Sequence, residues 1–351
     1  MTAEEIFSQR LKNARIMKGF SMDDLCKKMD NCVSKMTISK YENNLLQPNS
    51  TIVISIAKAL SLPFDYFFRP FTFKIESIKF SRDGNLSDKQ LESVKENVSD
   101  LIERYMNIEE ICNDSVDFVN PINEIIENET QLKEAAQKIR KEWQLGTDGI
   151  VNVISLLEEH GIKIMEIDAP EGLSGLSSIV NEKYPVIIIN KNFYSEKKRF
   201  IALHELAHII LKFSDSVSGT QEEAYCDLFA SEMLIPESVF KNLLGVSRHD
   251  ISYQELKAIQ MQYGISCESL MNKAYECGII SEQRLKYFKA SKKNNPSFNE
   301  KIDKSYYAEE NANRFNRLVY KALSNEFISI SKAANLLNQS VEQVRGDLVL
   351  V

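Results

Sequence analysis

This sequence has no long apolar run. None of the apolar stretches among its 351 residues approaches the roughly 20 consecutive residues that a membrane-spanning helix needs. The first ten residues, MTAEEIFSQR, carry acidic side chains where a secretory signal has a basic start and an apolar middle. We therefore expect a cytoplasmic protein without a membrane partner.

Paired cysteines and histidines are also scarce. The six cysteines include no Cys-x-x-Cys pair, which argues against a disulfide framework and against a zinc site built from thiolates. Only four histidines are present, so two of them at a metal-ligand spacing are informative. Basic residues are not in excess either, because the formal net charge is -7.

Charge is distributed unevenly along the chain. Residues 1–70 hold ten Lys or Arg and seven Asp or Glu, a net charge of +3, which leaves -10 for the other 281 residues. A small basic head before an acidic remainder is compatible with binding of nucleic acid by the head. The chain is also longer than one ordinary hydrophobic core spans, so we expect a multidomain protein.

The first 70 residues predict a bundle of four short helices. Apolar residues recur at helical spacing over residues 5–18, and Gly19 ends that helix. A turn at residues 30–33 leads to a third helix that begins near Ser34, and a fourth follows over residues 51–62. The outward face of the third helix and its C-terminal end offer polar and basic side chains to DNA: Ser34, Lys35, Thr37, Ser39, Lys40, Asn43 and Asn44.

This segment resembles the lambda-repressor-like, XRE-family helix-turn-helix. The resemblance rests on Arg10 and Arg15 in the first helix, on TISKYEN (residues 37–43) in the third and on IAKAL (56–60) in the fourth. It implies an all-α domain that binds double-stranded DNA, and a homodimer is plausible because such domains often read paired half-sites. A four-helix module that binds a partner protein is the alternative interpretation.

A second motif, His-Glu-x-x-His, lies in RFIALHELAHIILKF, residues 199–213. Positions i and i+4 of a helix lie one above the other, so His204 and His208 can both direct a ring nitrogen to one zinc ion. Glu205 can then act as the catalytic base towards a water molecule that the zinc activates. In the alternative without metal, Glu205 pairs with a neighbour such as Lys198 and both histidines are buried polar residues.

A catalytic zinc ion needs a third protein ligand, and the next helical segment offers one. Glu223 and Asp227 are four residues apart, so one carboxylate can bind zinc while the other accepts the remaining N–H of a ligand histidine. Asp227 is the candidate for holding the histidine ring. Glu222 is the rival ligand, although it lacks an acidic partner at this spacing.

The surrounding residues resemble the ImmA/IrrE family of metallopeptidase domains, which often follow an XRE helix-turn-helix. The resemblance covers residues 130–280 and includes six segments outside the motif: IRKEW (139–143), the strand GIKI (161–164), the turn LSGLS (173–177), PVIIIN (185–190), FASEMLIP (229–236) and YGIS (263–266). It implies a gluzincin-like α+β fold with His204, His208 and Glu223 as zinc ligands and Glu205 as catalytic base. Cys226 stands where the family usually has alanine.

The segment PVIIIN predicts a strand close to the motif helix. An extended substrate could join the edge of such a strand, or the strand could simply belong to the core. The whole chain is then divided into a helix-turn-helix domain, a helical connector, a zinc metallopeptidase domain, a polar linker and a helical C-terminal unit. The predicted bounds of these parts are residues 1–70, 71–130, 131–288, 289–308 and 309–351.

Together, these features predict a DNA-binding transcriptional regulator with a zinc-dependent peptidase domain. Its substrate would be a repressor-like protein, either another molecule or its own DNA-binding head. The alternative is a DNA-binding regulator whose zinc domain is a non-catalytic sensor or a structural module. The presence of Glu205 favours catalysis, because a structural zinc ion has no use for a general base.

Overall fold

The computed structural model describes residues 1–71, 75–82, 86–170, 172–303, 306 and 308–348. Within these ranges it confirms the predicted fold class, an all-α N-terminal domain followed by an α+β domain and a helical C-terminal region. None of the described helices is both long and apolar enough to cross a membrane.

The N-terminal domain contains the four predicted helices and a short 3-10 helix. Its elements are α1 (Ala3–Met17), α2 (Met22–Lys28), α3 (Lys35–Glu42), α4 (Ser50–Leu60) and the 3-10 helix Phe64–Phe68. Ser34 caps the N-terminus of α3, where its side chain accepts a hydrogen bond from the Thr37 N–H. Gly19, at a φ of 67°, follows the C-terminal cap of α1, as predicted.

The turn between α2 and α3 is built without glycine. Asp30 and Asn31 both adopt the left-handed conformation, with φ of 53° and 56°. Asn and Asp tolerate this region better than other residues because their short polar side chains can hydrogen-bond locally. Two consecutive left-handed residues therefore allow the chain to reverse before α3.

The second domain contains a four-stranded sheet and a short two-stranded one. Its strands are β1 (Ile75–Arg82), β2 (Ile125–Ile126), β3 (Lys163–Ile167), β4 (Leu173–Val180), β5 (Tyr184–Asn190) and β6 (Lys212–Phe213). The larger sheet has the order β1-β4-β5-β3, in which β4 is antiparallel to both neighbours and β3 is parallel to β5. The smaller sheet pairs β2 with β6.

The structure describes thirteen further helices. They are α5 (Asp88–Cys112), α6 (Glu129–Glu142), α7 (Val153–Glu159), α8 (Ser195–Ile210), α9 (Gly219–Leu234), α10 (Glu237–Leu244), α11 (Tyr253–Tyr263), α12 (Cys267–Glu276), α13 (Glu282–Asn294), α14 (Pro296–Asp303), α15 (Arg314–Ser324), α16 (Ile330–Leu337) and α17 (Val341–Asp347).

Alternate residues of β5 face two different cores. Ile187 and Ile189 pack in the larger core with residues of α6 to α9, whereas Val186 and Ile188 pack in a second core with α5 and α15 to α17. This division follows from the pleat of a strand, which directs successive side chains to opposite faces. The sheet is thus a central layer covered by helices on both sides.

Two predicted segments differ from the structure. The predicted helical connector, residues 71–130, contains α5 and the start of α6, but its described residues Ile75–Arg82 form an edge strand of the larger sheet. The polar linker, residues 289–308, is helical over much of its length, through the end of α13 and through α14. Ile302 in α14 is 2% exposed and belongs to the larger core. A solvated linker would leave this side chain exposed to water.

Two predictions within the sheet also need correction. The segment LSGLS, residues 173–177, forms the first part of β4 and not a turn. The predicted strand PVIIIN is present as β5, but it lies between β4 and β3 and offers no edge to a substrate. The second interpretation of that strand, as part of the core, is the one that the structure confirms.

The N-terminal domain packs on α5. The buried guanidinium of Arg10 donates to the Glu103 carboxylate at 2.8 Å and to the carbonyl oxygens of Arg69 and Pro70. Nearer the N-terminus of α5, Ser93 donates to the Met17 carbonyl oxygen at 2.8 Å. The helix that covers one face of the sheet therefore also carries the N-terminal domain.

Candidate metal centre

The His-Glu-x-x-His motif lies in α8, which packs against β4 and β5. His204 is 7% exposed and Glu205 is fully buried, and His208 lies one turn farther along the helix. The helical repeat brings the Nε2 atoms of His204 and His208 to 3.2 Å from each other. The two predicted histidine ligands are therefore adjacent.

A carboxylate from α9 completes the group. Glu223 places Oε2 at 3.3 Å from His204 Nε2 and Oε1 at 3.5 Å from His208 Nε2. Ligand atoms that lie 2.0–2.1 Å from a tetrahedral zinc ion are about 3.3 Å from one another. The spacing of the three side chains, and their two nitrogen donors and one oxygen donor, therefore fit a zinc ion.

The second ring nitrogen of His204, Nδ1, fixes the orientation of the ring through a hydrogen bond. Its Nδ1 donates to Asp227 Oδ1 at 2.9 Å, one turn after Glu223 on α9. Burial lowers the pKa of His204, but the hydrogen bond to Asp227 and the charges of Glu205, Asp227 and Glu223 outweigh burial and raise it overall. The contact fixes the ring so that Nε2 faces His208 and Glu223.

His208 has different neighbours at Nδ1. Cys226 Sγ lies 3.6 Å and Glu222 Oε1 lies 3.4 Å from this nitrogen. Glu222 is therefore on the side of the ring that faces away from the metal cluster, whereas Glu223 approaches both Nε2 atoms. Burial and the nearby Glu223 and Glu222 raise the pKa of the Cys226 thiol well above its usual range, so Cys226 is a neutral neighbour.

Glu205 lies against the backbone of β4 at Gly175. A Cβ atom built on Gly175 would be 2.9 Å from Glu205 Oε1 and 2.7 Å from Ile201 Cγ2. Only glycine therefore leaves room for the Glu205 carboxylate in its present position. Sequence reasoning missed Gly175, although a glycine within a strand is a recognised sign of close approach by another group.

Lys198 is the neighbour that the interpretation without metal names as an example of a partner for Glu205. Lys198 instead binds Glu166 of β3 at 2.5 Å. Next to it in α8, the fully buried Arg199 donates to the Glu310 carboxylate and to the Gly264 carbonyl oxygen. The two cations thus attach α8 to its surroundings and leave Glu205 facing β4.

A cavity opens beside the three predicted ligands. It has a volume of about 450 Å³, and His204, Glu223 and Asp227 line it together with Ser174 at the start of β4. A second cavity of about 510 Å³ is also lined by Asp227 and by Phe200. The two volumes follow α9 and α12, and they are large enough for several residues of an extended peptide.

The predicted DNA-contacting residues lie together on α3 and the following turn. Lys40, Asn43 and Asn44 are exposed, and Lys35 is exposed although it also pairs with Asp23 at 2.6 Å. Ser34, Thr37 and Ser39 are the other predicted members, of which Ser34 is the exposed N-cap and the other two are half-buried. Met36, which is 69% exposed on the same helix, was not predicted.

Two regions of the chain match known families. Residues 11–67 match the helix-turn-helix family, and residues 157–275 match the peptidase M78 family, described as the IrrE N-terminal-like domain. Neither a curated protein nor a solved structure matches the chain significantly. The first region contains α3, and the second contains α8, α9 and the metal cluster.

These matches confirm both resemblances. The chain combines an XRE-type helix-turn-helix with an IrrE/ImmA-like domain of the metallopeptidase type. The four described helices of the N-terminal domain and the mixed α+β architecture of the second agree with that combination.

Proposed function

We propose that this chain is a DNA-binding transcriptional regulator whose second domain is a zinc-dependent peptidase. The observation that carries the proposal is the cluster of His204, His208 and Glu223 beside a buried Glu205. Three protein ligands leave a fourth position of a tetrahedral zinc ion open, as hydrolytic sites require. A structural zinc site would usually fill that position with a fourth protein ligand.

His204, His208 and Glu223 would hold the zinc ion. When bound, zinc polarises a peptide carbonyl and lowers the pKa of a water molecule. Asp227 orients His204 through the hydrogen bond to Nδ1. Such contacts keep a ligand histidine in one tautomer and increase its basicity.

Glu205 would move the protons of the reaction. As general base it takes a proton from the attacking water, whose oxygen forms a bond to the scissile carbonyl carbon. As general acid it gives that proton to the departing nitrogen when the C–N bond breaks. The second proton of the water stays on the new carboxyl group, so the products are one carboxylic acid and one amine, and Glu205 returns to its starting charge.

The substrate in this proposal is an extended segment of a repressor-like protein. It comes from another molecule or from the chain's own DNA-binding head. The two adjoining cavities along α9 and α12 support a substrate that extends past the metal cluster on the Asp227 side. The helix-turn-helix would place the peptidase at DNA, or would itself be released by cleavage.

The test compares the zinc-loaded protein with its Glu205→Gln and His204→Ala variants. Each protein is incubated with a proteome-derived peptide library, and mass spectrometry identifies new termini in the library and in the chain itself. We expect Glu205→Gln to keep zinc and DNA binding and to lose all cleavage, whereas His204→Ala loses zinc as well. Cleavage that persists in Glu205→Gln would show that another group acts as the base.

A further inference from the structure

The edge of the sheet beside the candidate metal centre is covered by β1. β4 contacts Glu205 at Gly175 and supplies Ser174 to the cavity wall. One side of β4 pairs with β5, and the other side pairs with β1. A peptide that enters this cavity and pairs with β4 must therefore do so on the side that β1 now occupies.

β1 comes from outside the region that matches the peptidase family. Residues 157–275 include β3, β4 and β5, whereas β1 follows the N-terminal domain. Without β1, β4 would be the free edge of a three-stranded sheet. Exposed sheet edges readily accept another extended chain, because their N–H and C=O groups are available for pairing.

The register of β1 follows β4 to the cavity. Ile78 pairs with Ser178, and the pairing continues residue by residue until Ser81 pairs with Gly175. The register then shifts, at the level of Ser174. The end of β1 therefore lies opposite the part of β4 that contacts Glu205 and lines the cavity.

We infer that β1 is an internal competitor that occupies the docking edge of an extended peptide substrate. This inference rests on the proposed peptidase function and adds its regulation. A substrate can gain the backbone hydrogen bonds of β4 only after β1 leaves. Because β1 is tethered, it competes at an effective concentration on the order of millimolar, so most free peptides would be excluded.

The segments that flank β1 can stay attached to α5 while β1 separates from β4. The chain before β1 is fixed at Arg69, which pairs with Asp100 and Glu103 of α5. The chain after β1 enters α5 itself at Asp88. The segments before and after β1 are thus both attached to α5. The Arg10–Glu103 contact between the N-terminal domain and α5 does not involve β1.

The test measures binding of a fluorescein-labelled peptide with the sequence KIESIKFSRD, residues 74–83. The full-length, zinc-loaded Glu205→Gln protein serves as the parent, so that no cleavage is needed for the readout. Ile78→Pro and Lys79→Pro are introduced separately. Consecutive residues of an antiparallel strand alternate in whether their N–H points to the partner, so one proline removes a ladder bond and the other is its control.

We expect one proline variant to bind the peptide at least tenfold more tightly than the parent, and the control proline to resemble the parent. Equal affinity in all three proteins, or no binding in any, would overturn the inference. Far-ultraviolet circular dichroism checks that each variant is folded. The proposed catalysis is tested separately with Glu205 intact, so failure of either idea can be recognised.

A second measurement does not depend on proline. Ile78→Cys with Ser178→Cys, and Lys79→Cys with Ser177→Cys, place cysteine pairs directly across β1 and β4. Alternation makes one of these a closely spaced pair that can form a disulfide. In the Glu205→Gln parent, the oxidised form should bind no peptide and reduction should restore binding. Unchanged binding after oxidation would contradict the inference, and the single-cysteine variants are the controls.

Discussion

Glu205 owes its position to the absence of a side chain on the neighbouring strand. Its carboxylate lies against Gly175, where a Cβ atom would be 2.9 Å from Oε1. The motif predicts which residue is the base, but it carries no information about the strand that supports it. Contacts of this kind depend on which strand packs over the helix, and local periodicity cannot determine that.

Gly175→Ala tests this contact. The added methyl group must displace Glu205 or Ile201, so we expect cleavage to fall at least tenfold, on the order of 1.4 kcal/mol in the barrier, with zinc content unchanged. Turnover of a substrate identified from the peptide library and elemental analysis provide the two readouts. Gly219→Ala is the matched control, because a Cβ at Gly219 would have no atom within 4 Å apart from its chain neighbours and the backbone of its own helix. Full activity of Gly175→Ala would show that the position of Glu205 does not require glycine at residue 175.

Asp227 is expected to strengthen zinc binding through His204. Asp227→Asn keeps the size of the side chain but removes its charge, and loss of such a contact weakens metal affinity about 10–100-fold. Competition with a chelator of known affinity measures the change. Glu268→Gln is the control, since Glu268 lines the same cavity but pairs with Lys292 at 2.6 Å. Equal losses in both variants would indicate a general effect of charge.

At the scale of elements, helices were predicted better than strand pairings. The helices of the N-terminal domain, α8 and α9 have apolar residues, caps and motifs that act within a few residues. β1 lies in a polar segment that predicts a helical connector, and its stability comes from pairing with β4 about 100 residues later. The resemblance implies a turn at LSGLS, residues 173–177, whereas this segment begins β4 and most residues of β4 are buried.

The recognition helix α3 yields a prediction about DNA. Lys40 is exposed in its last turn and is expected to contact phosphate. Lys40→Ala should weaken binding to duplexes of any sequence and reduce the slope of log affinity against log salt by about 1. Fluorescence anisotropy at several salt concentrations measures both effects. Lys58→Ala is the control, an exposed lysine on α4, and an identical change in both variants would argue against a specific role for α3.

At the scale of the whole molecule, segments from outside the two family-matched regions join the parts. α5 carries the N-terminal domain through Arg10 and Glu103, and it packs with α15 to α17 over the sheet. Glu109 of α5 also binds Lys163 of β3 at 2.6 Å and the guanidinium of Arg314 in α15. The predicted division into separate connector and C-terminal units did not anticipate these contacts, because buried charge pairs between distant segments leave no periodic signal.

Glu158 makes stability depend on pH at the junction of α7 and α15. Burial raises the pKa of this carboxyl group to about 7, and the carboxyl group accepts the Arg314 N–H. The folded state therefore holds a proton that the unfolded state releases near pH 4.5. The resulting stabilisation is complete below that pH and is lost as pH rises to about 7.

Glu158→Gln should remove this dependence. Between pH 5 and pH 8 the wild-type protein should lose up to about 3 kcal/mol of unfolding free energy relative to the variant. Urea unfolding of both proteins across this range measures the difference. A constant difference between them would show that Glu158 has the same pKa in the folded and unfolded states.

The central claim is that His204, His208 and Glu223 hold one zinc ion, and zinc content tests it most directly. Elemental analysis is made on the protein purified without chelators, beside His204→Ala and beside His249→Ala, whose histidine is exposed and outside the cluster. We predict about one zinc per chain in the wild type and in His249→Ala, and none in His204→Ala. Absence of zinc from the wild type, or equal zinc in all three proteins, would contradict the claim.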